Sequence, residues 1–269
     1  MLLKLSEKAL WVRKATLNIH RIAKETRIAS SLSVVEILVV LYYGKLLSFD
    51  PKDTKWEKRD RFIISKGHGS ISLYPILSDL GFFGSEQLDR VCMKGALLGG
   101  IPDPLIPGYE TINGSLGHGL GVGCGVSLGL KLKSSREFVF VLLGDGELFE
   151  GAVWEAVMFA GQHKLSNLIL ILDNNKVCML DYCKNIIDLE SIAEKFRVFK
   201  WQVIEVDGHD IGQVSEGIKS LRESKIDKPK LLLANTIKGK GVPSLETDPL
   251  SHIRILSSDE VDTAIAGLS

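Results

Sequence analysis

Little in the sequence ties the protein to a membrane or to nucleic acid. Its 33 basic and 33 acidic residues cancel, so no net charge favours an anionic partner. The apolar runs have the length of a strand, well under the ~18 residues that a membrane-spanning helix needs. The N-terminus mixes charged with apolar residues and lacks the apolar stretch of a signal peptide. We therefore expect a cytoplasmic protein that binds neither nucleic acid nor a membrane.

The few cysteines offer no disulfide framework and no zinc site. They show no CxxC spacing, and no histidine pattern accompanies them, which favours reduced thiols. The cysteines are Cys92, Cys124, Cys178 and Cys183.

The chain does contain a regular alternation of strand and helix patterns. Near-continuous apolar runs predict strands at 61–65, 138–143, 168–172, 202–206 and 230–235. Helix patterns lie between and after them, at about 151–164, 190–197, 211–223 and 258–267. Such alternation is typical of an α/β fold in which a parallel sheet is sandwiched by helices. No repeat or linker interrupts it, so residues 1–269 are expected to form a single domain.

Two helices are predicted before the first strand. Residues 6–29 have the apolar spacing of one amphipathic helix. A second, more buried helix is expected over 33–44. Ser33 would cap its start with Glu36 as the capping-box partner, and Gly44 would end it.

A glycine-rich stretch, 114–129, is predicted to be helical rather than a flexible loop. Glycines recur every four residues at Gly117, Gly121, Gly125 and Gly129, with Gly119 and Gly123 on an adjacent row. Each glycine costs about 1 kcal/mol against alanine in a helix. Such a stripe indicates that backbone or cofactor approaches closely. His118 in this stretch could contact a cofactor or pack at an interface.

Oxygen-bearing side chains follow two of the predicted strands. Asp145 lies between two glycines after the strand at 138–143, and Asn174-Asn175 follow the strand at 168–172. In a parallel sheet these positions meet at the edge where ligands bind. Carboxylate and amide oxygens suit Mg²⁺ or Ca²⁺ with phosphate oxygens completing the coordination. The glycine-flanked aspartate alone would be an ordinary turn, but the pair favours a cation and phosphate site.

These segments and several others resemble the transketolase family, in the family's order. The matching segments are 65–70, 107–111, 114–119, the Asp145 and Asn174-Asn175 pair, 151–156, 207–210 and 236–241. The resemblance runs from about residue 10 to 255. It implies the pyrophosphate-binding domain of an enzyme that uses thiamine diphosphate and Mg²⁺ (or Ca²⁺). A nucleotide-binding dehydrogenase is disfavoured, since no strand, glycine loop and helix fingerprint is present.

The resemblance also implies roles for individual residues. Asp145, Asn175 and the carbonyl of Val177 would hold the metal ion. Glu150 would link the two cofactor sites of an assembled enzyme. His68 and His252 would be catalytic. The residues expected to bind the cofactor are His68, Gly114, Leu116, Gly146, Glu147, Asn175, Lys238 and His252.

Other residues of similar chemistry have structural explanations. We expect His20 and His163 to be structural or at the surface. His209 is expected to order a loop, and Trp154 to belong to the core.

In this family the glutamate that activates the cofactor lies in a second, pyrimidine-binding domain, which would begin after residue ~270. The chain therefore resembles the N-terminal subunit of a split, two-gene transketolase. A heterotetramer with a C-terminal partner subunit is expected. A truncated chain is the alternative, which the helical tail disfavours.

The substrate-binding half of the family pattern is altered at Arg27 and Ile101, where transketolases usually have histidines. Isoleucine removes a hydrogen-bonding and acid–base group, whereas arginine keeps donors but stays charged. Arg27 could instead hold a carboxylate or phosphate. The expected activity is transfer of a two-carbon ketol unit from a ketose or its phosphate to an aldehyde. The alternatives are a carboligase that uses another donor, such as a 2-oxoacid, and a non-catalytic homologue.

Overall fold

The sheet of this protein is parallel throughout. The computed structural model describes residues 2–268, and within them five strands lie in the order β1-β2-β3-β5-β4. The strands are β1 (Arg61–Ile64), β2 (Val139–Gly144), β3 (Leu168–Asn174), β4 (Gln202–Asp207) and β5 (Lys230–Asn235). β2, β3 and all but the last residue of β5 are buried along their length, as expected for strands covered on both faces. The predicted α/β fold is confirmed.

Helices cover both faces of the sheet. They are α1 (Leu2–Ile22), α2 (Ile28–Leu32), α3 (Val35–Tyr43), α4 (Leu73–Asp79), α5 (Gly119–Leu132), α6 (Gly151–Gln162), α7 (Cys183–Ile186), α8 (Ile192–Val198), α9 (Ile211–Glu223), α10 (Pro243–Glu246) and α11 (Ser258–Gly267). Alternate residues of β2 show the two layers. Phe140 packs into the core shared with α1, α3, α4 and α9, while Val141 packs into the core shared with α5, α6 and α8. None of the helices within residues 2–268 is both long and apolar enough to span a membrane.

The predicted bounds and cap of the two N-terminal helices are wrong in detail. α1 ends at Ile22, and a separate short helix, α2, precedes α3. Ser33 does not cap α3, because its hydroxyl donates to the carboxylate of Asp173 instead. Glu36 pairs with Arg13 and His209 rather than with a helix start. The predicted capping box is therefore absent within residues 2–268, although α3 does end at Gly44.

The glycine-rich helix is confirmed from Gly119 onward, while residues 114–118 precede it. A Cβ on Gly119 would lie 2.4 Å from Ser65, and one on Gly123 would lie 2.5 Å from a methyl of Val141. These glycines therefore allow α5 to approach the sheet closely. Gly121, Gly125 and Gly129 differ: nothing among residues 2–268 lies within 4 Å of a Cβ built on them.

Candidate functional site

A cavity of about 330 Å³ lies where the carboxyl ends of the central strands meet. Lys66 follows β1, Asp145 follows β2, Asn175 follows β3 and Lys238 follows β5, and all four side chains line it. The structure thus brings together most of the predicted site residues. Those that line the cavity are His68, Leu116, Asp145, Gly146, Glu147, Glu150, Asn175, Val177, Lys238 and His252.

The predicted metal-binding oxygens lie at one end of this cavity. Asp145 accepts hydrogen bonds from the backbone amides of Gly146, at 2.7 Å, and of Lys176. The Asn175 side-chain oxygen accepts the amide of Val177 at 3.1 Å. Burial, followed by the neighbouring carboxylate of Asp173, raises the pKa of Asp145 to about 6. A cation beside Asp145 would offset both effects.

This donor set fits a hard divalent cation, because it combines a carboxylate, an amide oxygen and a backbone carbonyl. Within residues 2–268 no three His, Cys, Asp or Glu side chains form a metal-binding group. A cation here would therefore depend on the amide and carbonyl oxygens and on oxygens of the ligand. The Val177 carbonyl accepts a hydrogen bond from the ammonium of Lys238 at 2.7 Å, and the Cys178 carbonyl accepts another at 2.9 Å.

Lys238 is a buried cation in the cavity lining, beside the Val177 carbonyl. Burial, followed by the charge of Lys66, lowers the pKa of Lys238 to about 8. Its position places a positive charge beside the oxygens of Val177 and Cys178, in the cavity that Gly146 also lines. Such a charge suits the anionic phosphates of a cofactor.

A buried polar network lies beside Asn175, and the sequence analysis did not find it. Asp173 near the end of β3 pairs with Lys66. Its carboxylate also accepts hydrogen bonds from Ser33 and Thr236, and from the side-chain amide of Asn175 at 3.0 Å. Burial opposes ionisation of Asp173, but Lys66, Thr236 and Ser33 outweigh it and lower the pKa of the carboxyl. The signal available in the sequence was a charged residue at the end of an apolar strand.

Glu147 connects three segments of the site. One carboxylate oxygen accepts hydrogen bonds from the Ser65 hydroxyl and, at 2.9 Å, from the amide of Gly117. The other oxygen has no hydrogen-bond partner among residues 2–268. Burial raises the pKa of Glu147. Gly117 has φ +87°, and a Cβ there would lie 2.8 Å from Glu150, so this position requires glycine.

Two histidines of the cavity lining lie together. The rings of His68 and His252 meet edge to face with 5.2 Å between centroids. The Ser30 hydroxyl lies 3.2 Å from Nδ1 of His252. Burial, followed by the charge of Lys238, lowers the pKa of His252 to about 3. Burial, followed by the charge of Arg27, lowers the pKa of His68. Both rings are therefore neutral near neutral pH, and each offers one donor and one acceptor.

Three predicted residues lie outside the cavity lining: Arg27, Ile101 and Gly114. Arg27 precedes α2, and its charge acts on both His68 and His252. Ile101 lies against Gly114, where its Cδ1 would be 3.0 Å from an added Cβ. The sequence analysis had assigned Gly114 to cofactor binding and Arg27 and Ile101 to substrate specificity, whereas the structure leaves all three out of the cavity lining.

The other residues singled out by the sequence have structural roles. Nδ1 of His209 donates to Glu36 at 3.0 Å, and Nε2 accepts the amide of Ile237 at 2.8 Å. The loop that carries Lys238 is therefore fixed by His209, which confirms the loop-ordering interpretation. His20 is buried with two hydrogen-bond partners. Trp154 packs against the core beneath α6, as predicted, whereas His163 lies at the surface.

A parallel sheet covered by helices, with a cavity at the carboxyl ends of its strands, is the arrangement of a ligand-binding α/β domain. Residues 11–268 match the sequence family described as "Transketolase, thiamine diphosphate binding domain". The chain belongs to the transketolase family.

Known relatives include subunits of divided transketolases. The chain is 38% identical over 240 residues to one subunit of the apulose-4-phosphate transketolase of Actinobacillus succinogenes, covering 89% of this chain and 86% of the relative. It is 34% identical over 258 residues to a 6-deoxy-6-sulfo-D-fructose transketolase subunit of a Clostridium species, covering 96% and 93%. The crystal structure of Campylobacter jejuni transketolase superposes with a TM-score of 0.87 at 27% identity, covering 98% of this chain and 46% of the other. The chain thus spans less than half of that transketolase and most of each subunit.

Proposed function

We propose that the chain is the cofactor-binding subunit of a two-subunit transketolase in the cytoplasm, a transferase of ketone groups. It would transfer a two-carbon ketol unit from a ketose or ketose phosphate to an aldehyde, with thiamine diphosphate and Mg²⁺. One observation carries this proposal. Asp145, Asn175 and Val177, which carry oxygen atoms suited to a cation, line the same cavity as the neutral pair His68 and His252.

The residues of the cavity are assigned two separate tasks. In the first, Asp145, Asn175 and the Val177 carbonyl would hold the cation, and the backbone at Gly146 would meet the diphosphate. Lys238 would add positive charge there. Bound thiamine diphosphate supplies the electron sink, while the protein supplies position and electrostatics.

In the second task, His68 and His252 would exchange protons with the hydroxyl groups of the sugar. Their low pKa keeps both rings neutral, so each can accept a proton without first losing one. Gly114 and Leu116 would lie along the cofactor, and Glu147 would hold their loop through the amide of Gly117.

The partner subunit would contribute the pyrimidine-binding domain and the activating glutamate, and the expected assembly is a heterotetramer. Exposed apolar side chains at the mouth of the cavity support a covering partner. These side chains are Leu116, Met179, Leu180 and Ile186. The names of the two subunit relatives support the same organisation. Glu150, at the cavity rim, would link the two cofactor sites.

Titration of the cofactor tests this proposal. The chain is combined with a pyrimidine-domain partner, and thiamine diphosphate is titrated with and without Mg²⁺ by calorimetry. Asp145→Ala should abolish Mg²⁺-dependent binding, because it removes the only carboxylate among the proposed ligands. Asp227→Ala is the matched control, since that exposed carboxylate precedes β5 and so lies near the amino end of this strand, whereas the cavity lies at the carboxyl ends. Unchanged binding by Asp145→Ala would refute the metal assignment.

The substrate is proposed to differ from that of pentose-phosphate transketolases. The charge of Arg27 beside the two histidines supports a donor that carries a carboxylate, phosphate or similar anion. The reconstituted enzyme is assayed with xylulose 5-phosphate, with other anionic ketoses and with pyruvate. Preference for xylulose 5-phosphate at ordinary rates would contradict an altered donor. Tight cofactor binding without turnover of any donor would instead support a non-catalytic homologue.

A further inference from the structure

A carboxylate that lies outside the cavity lining organises the residues within it. Asp173 is 0% exposed, and its two oxygens receive four side-chain donors. One oxygen accepts from Lys66, from Ser33 at 2.8 Å and from the amide nitrogen of Asn175 at 3.0 Å. The other accepts from Thr236.

We propose that Asp173 is a positioning residue that fixes the orientation of the Asn175 side-chain amide. This inference rests on the proposed function, in which Asn175 presents an oxygen to the metal ion. The two ends of a side-chain amide have nearly the same shape, so hydrogen-bond partners decide which end faces which way.

Both ends of the Asn175 amide are specified by their neighbours. An ionised carboxylate only accepts hydrogen bonds, so only the nitrogen of Asn175 can face Asp173. The Asn175 oxygen accepts the backbone amide of Val177 at 3.1 Å, and that amide can only donate. A reversed amide would place the Asn175 oxygen against the Asp173 carboxylate and the Asn175 N–H groups against the backbone N–H of Val177. Hard cations bind oxygen, so a reversed amide would also turn a donor group toward the cation.

Lys66 keeps Asp173 in the form that this task requires. The ammonium of Lys66 is itself buried and donates to both Asp173 and Ser33. The pair is neutral overall, which leaves the charge of Asp145 for the cation. An asparagine at position 173 could turn its own N–H toward Asn175 and would lose the acceptor for Lys66.

The test compares two variants of the chain with its pyrimidine-domain partner, by calorimetric titration of thiamine diphosphate and Mg²⁺. Asp173→Asn should weaken Mg²⁺-dependent binding by roughly 10- to 100-fold, the range typical when a residue that orients a metal ligand is replaced. The exchanged variant, Asp173→Asn with Asn175→Asp, should recover most of this loss. A carboxylate at 175 presents an oxygen in either orientation, and the amide at 173 can donate to it.

A purely structural role for Asp173 predicts a different pattern. The exchanged variant still lacks the carboxylate that pairs with Lys66, so a counter-ion role would not be rescued. Thr236→Val is the control, because it removes a donor to Asp173 and leaves the contact with Asn175. Its affinity should fall by less than about 10-fold, below the range expected for Asp173→Asn, because Asp173 keeps its other three donors and the amide of Asn175 is among them.

A measurement on the unsubstituted chain covers the case in which Asp173→Asn does not fold. In ¹⁵N spectra the Asn175 side-chain amide protons should exchange slowly before any cofactor is added, because one of them is held by a buried carboxylate. Rapid exchange, equal affinity of Asp173→Asn, or failure of the exchanged variant to recover would each overturn the inference. If the unsubstituted complex binds no cofactor, the proposed function fails, and the exchange measurement still decides the orientation of Asn175.

Discussion

Acidification should destabilise the folded chain through His20, a buried imidazole near the end of α1. The His20 side chain is 0% exposed. Its Nε2 accepts the backbone amide of Leu256 at 3.2 Å, so Nδ1 must carry the proton and donate to Thr26 Oγ1 at 2.8 Å. The Thr26 hydroxyl in turn donates to the Ala23 carbonyl at 2.7 Å. Protonation of Nε2 would replace the bond from Leu256 with a donor facing a donor.

The size of this effect follows from the pKa of His20. Burial, followed by the charge of Lys24, lowers it from 6.5 to about 4. The folded state therefore binds fewer protons than the unfolded state in this range. The stabilisation is complete above the unfolded pKa and is lost as the pH falls toward the folded pKa. The full shift corresponds to about 3 kcal/mol, of which about 2 kcal/mol is lost between roughly pH 7.5 and 5.

Urea unfolding at these two pH values measures the loss. Because His68 and His252 also have lowered pKa values, they contribute to the pH dependence of the unsubstituted protein. The informative quantity is the difference between that protein and His20→Gln, in which the loss of stability should be smaller by about 2 kcal/mol. His163→Gln, at an exposed position, should retain the full loss. An equal loss in the unsubstituted protein and in His20→Gln would refute the reasoning.

Two further predictions concern stability. Gly123→Ala should destabilise the chain by about 1–3 kcal/mol through overpacking against β2. At Gly125 an added Cβ meets nothing among residues 2–268 within 4 Å. Gly125→Ala should therefore stabilise the isolated chain by up to about 1 kcal/mol in thermal unfolding. Stability changes of the same sign in Gly123→Ala and Gly125→Ala would contradict the packing of α5 against β2. Glu36→Gln should cost about 3–5 kcal/mol, because it leaves the buried guanidinium of Arg13 without its carboxylate. Glu36→Gln should also speed hydrogen exchange at 237–241. Glu194→Gln, in an exposed ion pair, should cost under about 1 kcal/mol. Equal losses of stability in Glu36→Gln and Glu194→Gln would refute the distinction between buried and exposed pairs.

The sequence predicted the sheet well because strand formation at 168–174 or 230–235 depends on a local property. A run of consecutive apolar residues must be covered on both faces, whichever residues cover it. The same reasoning placed Asp145 and Asn175 together, because parallel strands bring their carboxyl ends to one edge. Both side chains line the cavity. The family resemblance, rather than this reasoning, pointed to His68 and His252.

Local patterns failed where distant residues compete for the same side chain. Ser33 and Glu36 have the spacing of a capping box, yet Ser33 bonds to a residue 140 positions away. Glu36 bonds to His209, 173 positions away. A helix cap contributes a few tenths to about 2 kcal/mol of stability. Charge-assisted hydrogen bonds to buried partners are stronger, so they take these side chains instead. The glycine stripe was similarly ambiguous, because spacing cannot show which glycines face β2 and which face outward.

The sequence alone therefore determined the class of fold, the alternation of its five strands with helices along the chain, and the pair of strand ends that carries Asp145 and Asn175. The tertiary structure decided the order of the strands in the sheet and the hydrogen bonds that these two side chains make. It set the neutral state of His68 and His252 through burial and neighbouring charges. It also joined Lys66, Asp173 and Asn175 behind the cavity. Such properties depend on partners brought together only by folding, and hydrogen-bond direction and pKa are set by those partners rather than by neighbours in the chain.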